Sequence, residues 1–187
     1  MPSLSEADRR TALQLARTAV VEAVSHRRFP DVFPCEGTFA ERHGVFVTLH
    51  VCNRLQGCIG VIEANEPLGE AIVRCAASAA LEDPRFAPLR MDQLGELSIE
   101  ISLLSPMEPI APESIEIGHH GLFVRLHAQR GLLLPQVAAE HRLTREQFLE
   151  ETCRKAGLSR EAWRDPEARL FGFTCEVFSE SSHSEGT

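Results

Sequence analysis

A cysteine flanked by glycines is the segment of this 187-residue chain whose residue types best suit chemistry. Cys58 lies between Gly57 and Gly60 in the sequence LQGCIG. Glycines let a backbone or a ligand approach closely, and N–H groups exposed beside them can stabilise a thiolate or an oxyanion. The pattern therefore indicates a reactive or ligand-holding thiol. The alternative, which composition alone favours, is a small buried residue in a tightly packed strand, because free cysteine is often buried.

Charged residues in the sequence EDPRF (82–86) form a second candidate group. Glu82 could move protons, while Asp83 and Arg85 could bind a polar substrate, with the guanidinium acting as a fork for a carboxylate or phosphate. The same side chains could instead form an ion pair that anchors the loop after a helix. The spacing favours this second, structural interpretation.

Glu100 is a candidate general acid or base because it shares the polar face of a predicted strand with Ser98 and Ser102. If that face is covered, burial raises the pKa of the carboxyl group and suits it to proton transfer. If the face meets solvent, Glu100 is an ordinary exposed residue. His50 could oppose Cys58 across a hairpin and form a Cys–His pair.

Several common sites have no sequence pattern here. The chain contains no CxxC, HxxxH or HExxH spacing, and it lacks the GxxxxGK[ST], GxGxxG and GxSxG motifs. We therefore expect no zinc site and no cofactor. Metal binding by Cys58 with His50 and Glu82 is a third, weaker alternative. Gln136 follows an apolar run and is a candidate for contact with a substrate, although a glutamine at a strand end is more often structural.

Composition and charge exclude several classes of function. Hydrophobic residues make up 43% of the chain and charged residues 25%, as in globular domains. The net charge is −8, and no basic block offsets it, so we expect no binding to nucleic acid. No apolar stretch approaches the roughly 20 residues that cross a bilayer, so we expect no membrane association. Six scattered cysteines and a polar N-terminal sequence predict a reducing, cytoplasmic location.

Hydrophobic spacing predicts a mixture of helices and strands that do not alternate regularly, and neighbouring strands that form hairpins. This organisation favours an α+β fold with mainly antiparallel sheet over a doubly wound fold. The residues from 179 to 187 have almost no apolar content and are predicted to be a disordered tail. The predicted helices cover 4–28, 67–82 and 144–157; the predicted strands cover 45–51, 55–64, 97–106 and 168–178, with a hairpin over 121–135 turned near 128–131.

Five segments, occurring in order, resemble the AMMECR domain family, called system protein A of the AmmeMemoRadiSam set in bacteria and archaea. The resemblance covers the chain from about residue 10 to 178. It implies one domain over residues 1–178, with an α+β fold in two intimately packed lobes and LQGCIG near the cleft between them; the boundary between the lobes is not readable. The segments are LQGCIGVIEA (55–64), LEDPRFAPL (81–89), LSIEISLLSP (97–106), RGLLLPQVA (130–138) and FLEETCRKAGL…AWRDPEARLFGFTCEVF (148–178).

The sequence departs from the family motif, usually written LRGCIG, at one position. Gln56 stands where the family has arginine, and Val61 follows the motif where threonine is common. Arg54 lies two residues upstream, which in a regular strand keeps the face and shifts the side chain by about 7 Å. The resemblance thus makes Gln56 and Arg54, with Gly57 and Gly60, candidate substrate-binding residues.

The resemblance implies no established reaction. Genes beside those of the family encode a Memo-like protein and a radical SAM protein, which are therefore the expected partners. One hypothesis is an enzyme or accessory component in a small-molecule or protein modification pathway. Cys58 is then the nucleophile, Glu100 or Glu82 moves protons, and Arg85 orients an anionic group. The other hypothesis is a non-catalytic ligand-binding or adaptor domain in which LQGCIG is structural.

Overall fold

The computed structural model of this protein describes residues 4–29, 36–63 and 65–180. Helices and strands occur in the mixed order that the sequence predicts. The helices are α1 (Glu6–His26), α2 (Leu68–Leu81), α3 (Pro135–Glu140) and α4 (Arg145–Lys155), and the strands are β1 (Val45–Val51), β2 (Arg54–Val61), β3 (Leu97–Leu104), β4 (Glu108–Pro109), β5 (Gly121–Leu126), β6 (Gln129–Leu133), β7 (Arg169–Phe173) and β8 (Cys175–Ser179).

The chain forms two compact units, each with its own four-stranded sheet. The first unit contains the chain up to Leu104 and the segment from Glu176 onward, and the second contains Ser105–Cys175. The strand order is β2-β1-β3-β8 in the first sheet and β4-β7-β5-β6 in the second. The pairings β1–β2, β1–β3, β4–β7, β5–β6 and β5–β7 are all antiparallel. The predicted α+β fold with antiparallel sheet is confirmed.

The first sheet has one buried face and one half-exposed face. Alternate residues of β1 and β3, such as Val47, Leu49 and Ile101, are fully buried in a core that also contains small residues of α1 and α2. The other face of the sheet, here called the polar face, carries Thr48 of β1, Glu100 of β3 and Cys58 of β2. Since side chains alternate across a strand, burial of one set leaves the other set open to solvent or ligands.

A tight turn and a bulge set the register of the β1–β2 hairpin. Cys52 and Asn53 both have positive φ angles, 49° and 59°, as a two-residue type I′ turn requires. Leu49 lies opposite Gly57, but His50 lies opposite Leu55. Gln56, between Leu55 and Gly57, therefore has no partner on β1 and forms a β-bulge. Such a bulge reverses the alternation of faces along β2.

Helix α1 is held to the first sheet by an ion pair as well as by its alanine face. The Arg17 guanidinium donates to both oxygens of Glu180, at 2.6 Å each, and to the Leu97 carbonyl at 2.7 Å. Glu180 also accepts from the Ile99 N–H at 3.0 Å. The prediction of a disordered tail is wrong for its first two residues, because Ser179 ends β8 and Glu180 is hydrogen-bonded; the rest of the predicted tail, 181–187, lies outside the described residues.

The second unit packs α3 and α4 on one face of its sheet. Its core contains Leu122, Phe148 and Leu149, with Leu133 and Leu170 packed against them. Helix α4 begins with a capping box: the Thr144 hydroxyl accepts from the Gln147 N–H while the Gln147 side chain accepts from the Thr144 N–H.

Three features of the second half of the chain differ from the sequence prediction. The segment 168–178 is two strands, β7 and β8, in different sheets, because the chain leaves the second sheet at Thr174. The hairpin turns at residues 127–128, earlier than predicted, since His127 adopts a positive φ of 53°. The short helix α3 was not predicted, because six residues are too few to show helical periodicity.

No helix in the described part of the chain is both long enough and apolar enough to cross a membrane.

Candidate functional site

Cys58, Thr48 and Glu100 form a row across three adjacent strands. The β1–β2 register places Thr48 opposite Cys58, and the β1–β3 register places Thr48 opposite Glu100. Residues directly opposite each other in antiparallel strands point to the same face. All three are half-exposed, so this polar face presents a thiol, a hydroxyl and a carboxyl group together.

The predicted Cys–His pair is wrong in register. His50 lies opposite Leu55, and Cys58 lies opposite Thr48, because the two-residue turn at Cys52–Asn53 pairs His50 with a residue three positions before Cys58. The Thr48 hydroxyl donates to the Cys58 sulfur over 3.3 Å. The side chain bonded to the thiol is therefore that of a threonine and not that of a histidine.

The backbone of Cys58 is fixed by the loop that follows α2. Its N–H donates to Asp83 Oδ2 at 2.8 Å, and its carbonyl accepts from Arg85 Nη2 at 3.1 Å. Cys58 lies on β2, an outer strand of the first sheet, whose backbone groups would otherwise be open to another chain. Asp83 and Arg85 thus take the place of a further strand at this position.

Asp83 and Arg85 are also bonded to each other. Arg85 Nε and Nη2 donate to the two Asp83 oxygens at 2.9 and 2.7 Å, and the Arg85 N–H adds a bond of 3.1 Å. The Asp83 side chain is 2% exposed and that of Arg85 53%. The bonds from Arg85, followed by that from the Cys58 N–H, hold the pKa of the Asp83 carboxyl far below its ordinary value. This arrangement matches the structural interpretation of EDPRF, and substrate binding by these two residues stays a prediction.

The bulge falls on the position where the family motif has arginine. Gln56 is the unpaired residue, and its amide donates to the Ala87 carbonyl at 2.9 Å, which ties β2 to the same loop. Arg54 lies opposite Val51, on the face away from Cys58. A regular strand would place the side chains of Arg54 and Gln56 on the same face. That expectation does not hold here, because the bulge at Gln56 interrupts the alternation of side chains along β2.

Both glycines of the motif lie where a side chain would collide with a neighbour. A Cβ on Gly57 would lie 2.1 Å from the Ala79 carbonyl oxygen of α2, and a Cβ on Gly60 would lie 2.3 Å from the Phe46 ring. Close packing on both faces of the sheet therefore explains why glycine occupies these positions. Their predicted contact with a substrate stays a prediction.

Two further residues predicted for the site, Glu82 and Gln136, belong to different units. Glu82 is exposed at the end of α2, where its carboxylate accepts from the Ser78 hydroxyl at 2.9 Å. Gln136 belongs to the second unit, in the first turn of α3, and its Oε1 is buried without a hydrogen-bond partner among the described residues. Within the described part of the first unit, Glu82 forms no hydrogen bond with Cys58, and the predicted roles of Glu82 and Gln136 stay predictions.

The remaining described cysteines differ in their surroundings. Cys75 and Cys153 are buried; burial raises the pKa of Cys75 to about 11 and also raises that of Cys153. Cys52 is exposed in the hairpin turn. Cys35 lies outside the described residues. No group of three or more His, Cys, Asp and Glu side chains in the described ranges could hold a metal ion.

Thr48 is the residue of this site that sequence reasoning missed. Its position in the alternation of β1 places it on the polar face, but its partner depends on the bulge, and nothing in the spacing of LQGCIG reveals that irregularity.

Known proteins resemble this chain over nearly its whole length. A family model described as AMMECR1 matches residues 13–178. A protein of Methanothermobacter thermautotrophicus is 42% identical, and the alignment covers 95% of this chain and 96% of the relative. Protein TK0174 of Thermococcus kodakarensis is 41% identical, with 90% and 88% covered.

A solved structure has the same fold. The crystal structure of the uncharacterized protein PH0010 from Pyrococcus horikoshii aligns with a TM-score of 0.83 at 37% sequence identity. The alignment covers 91% of this chain and 90% of that chain. The similarity therefore includes both units.

Proposed function

This chain belongs to the AMMECR1 family, and from that premise we propose that it acts through the Cys58 thiol on the polar face of the first sheet. The observation that carries the proposal is the fixed position of that thiol. Its backbone is bonded at both N–H and carbonyl, and its sulfur accepts from the Thr48 hydroxyl. A reactive group on a sheet, supported by neighbouring bonds, is better positioned than one on a loop.

The proposed chemistry is nucleophilic attack on a small organic substrate. The thiol loses its proton to water, and the thiolate, held in position by the hydrogen bond from the Thr48 hydroxyl, attacks an electrophilic carbon of the substrate. A C–S bond forms, the bond to the leaving group breaks, and the leaving group takes up a proton. A second attack by water or an acceptor releases the product and restores the thiol.

Glu100 is proposed as the acid that protonates the leaving group. It lies two strands from Cys58, or about 10 Å at the usual spacing of strands, which is too far to take the thiol proton directly. A substrate that spans this row contacts the thiol at one end and the carboxyl group at the other. Glu82, exposed and bonded to Ser78, is less suited to this role.

The proposed biological setting comes from the family rather than from the geometry. We propose that the chain is system protein A of the AmmeMemoRadiSam set, a cytoplasmic component that works with a Memo-like protein and a radical SAM protein. Its substrate is then a small molecule or protein that one of these partners produces or consumes.

A ligand-binding or adaptor domain is the second candidate. The observation that favours it is the packing of LQGCIG: Gly57 and Gly60 are required by Ala79 and Phe46, and the Asp83–Arg85 pair closes the strand edge. In that case, Cys58 is the small residue that fits beside Thr48, and its thiol has no special reactivity.

A threonine series tests the proposed activation of the thiol. We expect Thr48→Val to slow alkylation of native Cys58 at pH 7 by about tenfold, because the variant removes the hydrogen bond to the reacting sulfur, and a hydrogen bond to a charged group is worth about 1.5 kcal/mol or more. Thr48→Ser keeps the hydroxyl and should keep the rate. Iodoacetamide labelling followed by peptide mass spectrometry gives both rates, and Cys52 in the same digest is the internal reference. Equal Cys58 rates in wild type and both variants would contradict the role of Thr48.

A further inference from the structure

Three arginines lie side by side across the second sheet. The β5–β6 register places Arg125 opposite Arg130, and the β5–β7 register places Arg125 opposite Arg169. The three residues are separated along the sequence by five and thirty-nine positions, so only strand pairing brings them together. All three are exposed.

The row lies on the face of the sheet opposite α3 and α4. Val124 and Leu126, the neighbours of Arg125 along β5, point to the opposite face of the sheet. That opposite face also carries Leu122 and Leu170, which pack in the core with Phe148 of α4. The Arg125 guanidinium lies 6.0 Å from the centre of the Phe171 ring, which shares the arginine face. The arginines therefore point away from the helices and beside an aromatic ring.

Like charges directly opposite each other destabilise a sheet. Neighbouring strands are about 4.8 Å apart, so the row holds three positive charges within about 10 Å. Arg125 and Arg169 form no ion pair or side-chain hydrogen bond with any described residue. Glu167, the acidic residue two positions before Arg169, lies beside His127 instead, with 3.6 Å between its carboxylate and the ring nitrogen. Arg125, the central arginine of the row, therefore has no acidic partner among the described residues.

We propose that Arg125, Arg130 and Arg169 bind a small molecule that carries several adjacent negative charges, with an oligophosphate group as the best match. Guanidinium groups bind phosphate and carboxylate oxygens in pairs, and a row of them fits a chain of linked anionic groups better than a single anion. The Phe171 ring offers an apolar surface for the rest of the ligand. This site lies in the second unit and does not depend on the role of Cys58.

The test is calorimetric titration of the full chain with pyrophosphate and tripolyphosphate at low ionic strength. We expect wild type to bind both more tightly than orthophosphate. Arg125→Gln, which removes the central charge, should weaken binding by at least about tenfold, the effect of losing one charge-assisted contact. Arg10→Gln is the matched control, because Arg10 is an exposed arginine of α1 without a described ion pair, and it should leave binding unchanged.

Two further measurements identify the type of anionic group that binds and show whether Arg125→Gln is still folded. Citrate in place of pyrophosphate separates a tricarboxylate ligand from an oligophosphate one. Without any oligoanion, Arg125→Gln should melt at or above the wild-type temperature in low salt, and the difference should vanish near 1 M NaCl as the repulsion is screened. Failure of wild type to bind any of these anions at millimolar concentration, or equal binding by Arg125→Gln, would overturn the proposal.

Discussion

Asp83→Asn should lower the free energy of unfolding by about 2–4 kcal/mol at pH 7. The substitution keeps the shape of the side chain but replaces one carboxylate oxygen by an NH₂ group. That group then faces the N–H of Cys58 and the Nη2 of Arg85, so donors oppose donors where 2.8 and 2.7 Å hydrogen bonds now exist. Urea denaturation of wild type and variant measures the difference.

The same comparison has a defined pH dependence. The pKa of Asp83 is lowered by folding, so its contribution to stability is present above the unfolded-state value of about 3.9 and is lost as pH falls below it. The wild-type advantage over Asp83→Asn should therefore be constant above about pH 5 and narrow by about 1 kcal/mol on reaching pH 3.

Asp92→Asn is the matched control for this prediction. Asp92 forms a similar two-bond pair with Arg90, at 3.0 and 2.8 Å, but both side chains are mostly exposed. Exposed pairs contribute little, so this variant should have a free energy of unfolding close to that of wild type. If the two variants lose the same stability, the edge-closing role of Asp83 is wrong.

Gly57→Ala should destabilise the protein by about 3 kcal/mol or more, at the upper end of the cost of overpacking. The added methyl group would lie 2.1 Å from the Ala79 carbonyl oxygen and 3.0 Å from its carbon. Those atoms belong to the backbone of α2, so no side-chain rotation relieves the collision, and helix and strand must separate. Thermal unfolding and soluble yield report the effect.

Gly95→Ala provides the control for the glycine prediction. Gly95 has no heavy atom within 4 Å of the position of a new Cβ, and its φ is not in the left-handed region. It should unfold within about 0.5 kcal/mol of wild type, as surface substitutions usually do. A Gly57→Ala protein as stable as Gly95→Ala would show that α2 does not pack closely on β2.

The fold was largely predictable because strong periodicity marks its main elements. The alternation in VFVTLHV and LSIEISLL predicts β1 and β3, and the caps Ser5 and Thr144 mark the starts of two helices. The division at Thr174 was not predictable, since ARLFGFTCEVF has a continuous strand-like composition. β7 and β8 are separate strands because the first half of this segment pairs in the second sheet and the second half pairs in the first sheet.

The candidate site was predictable in its residue types but not in its pairing. Cys58, Glu100, Asp83 and Arg85 were all identified from the sequence, and the Asp83–Arg85 ion pair was one of two interpretations. Thr48 and the three-arginine row were missed, because both depend on strand register. Register across a bulge, or between strands as far apart in the sequence as β5 and β7, is a long-range property that local spacing does not contain.

The central claim is that Cys58 carries a thiol whose folded environment promotes reaction. The most direct measurement is its alkylation rate at pH 7 in the native protein, divided by its rate in the same protein unfolded in urea. We predict a native rate equal to or above the unfolded rate, while Cys75 and Cys153, whose pKa values are raised by burial, stay unlabelled until unfolding. A native Cys58 rate a hundredfold or more below the unfolded rate would contradict the claim and leave Cys58 as a packing residue.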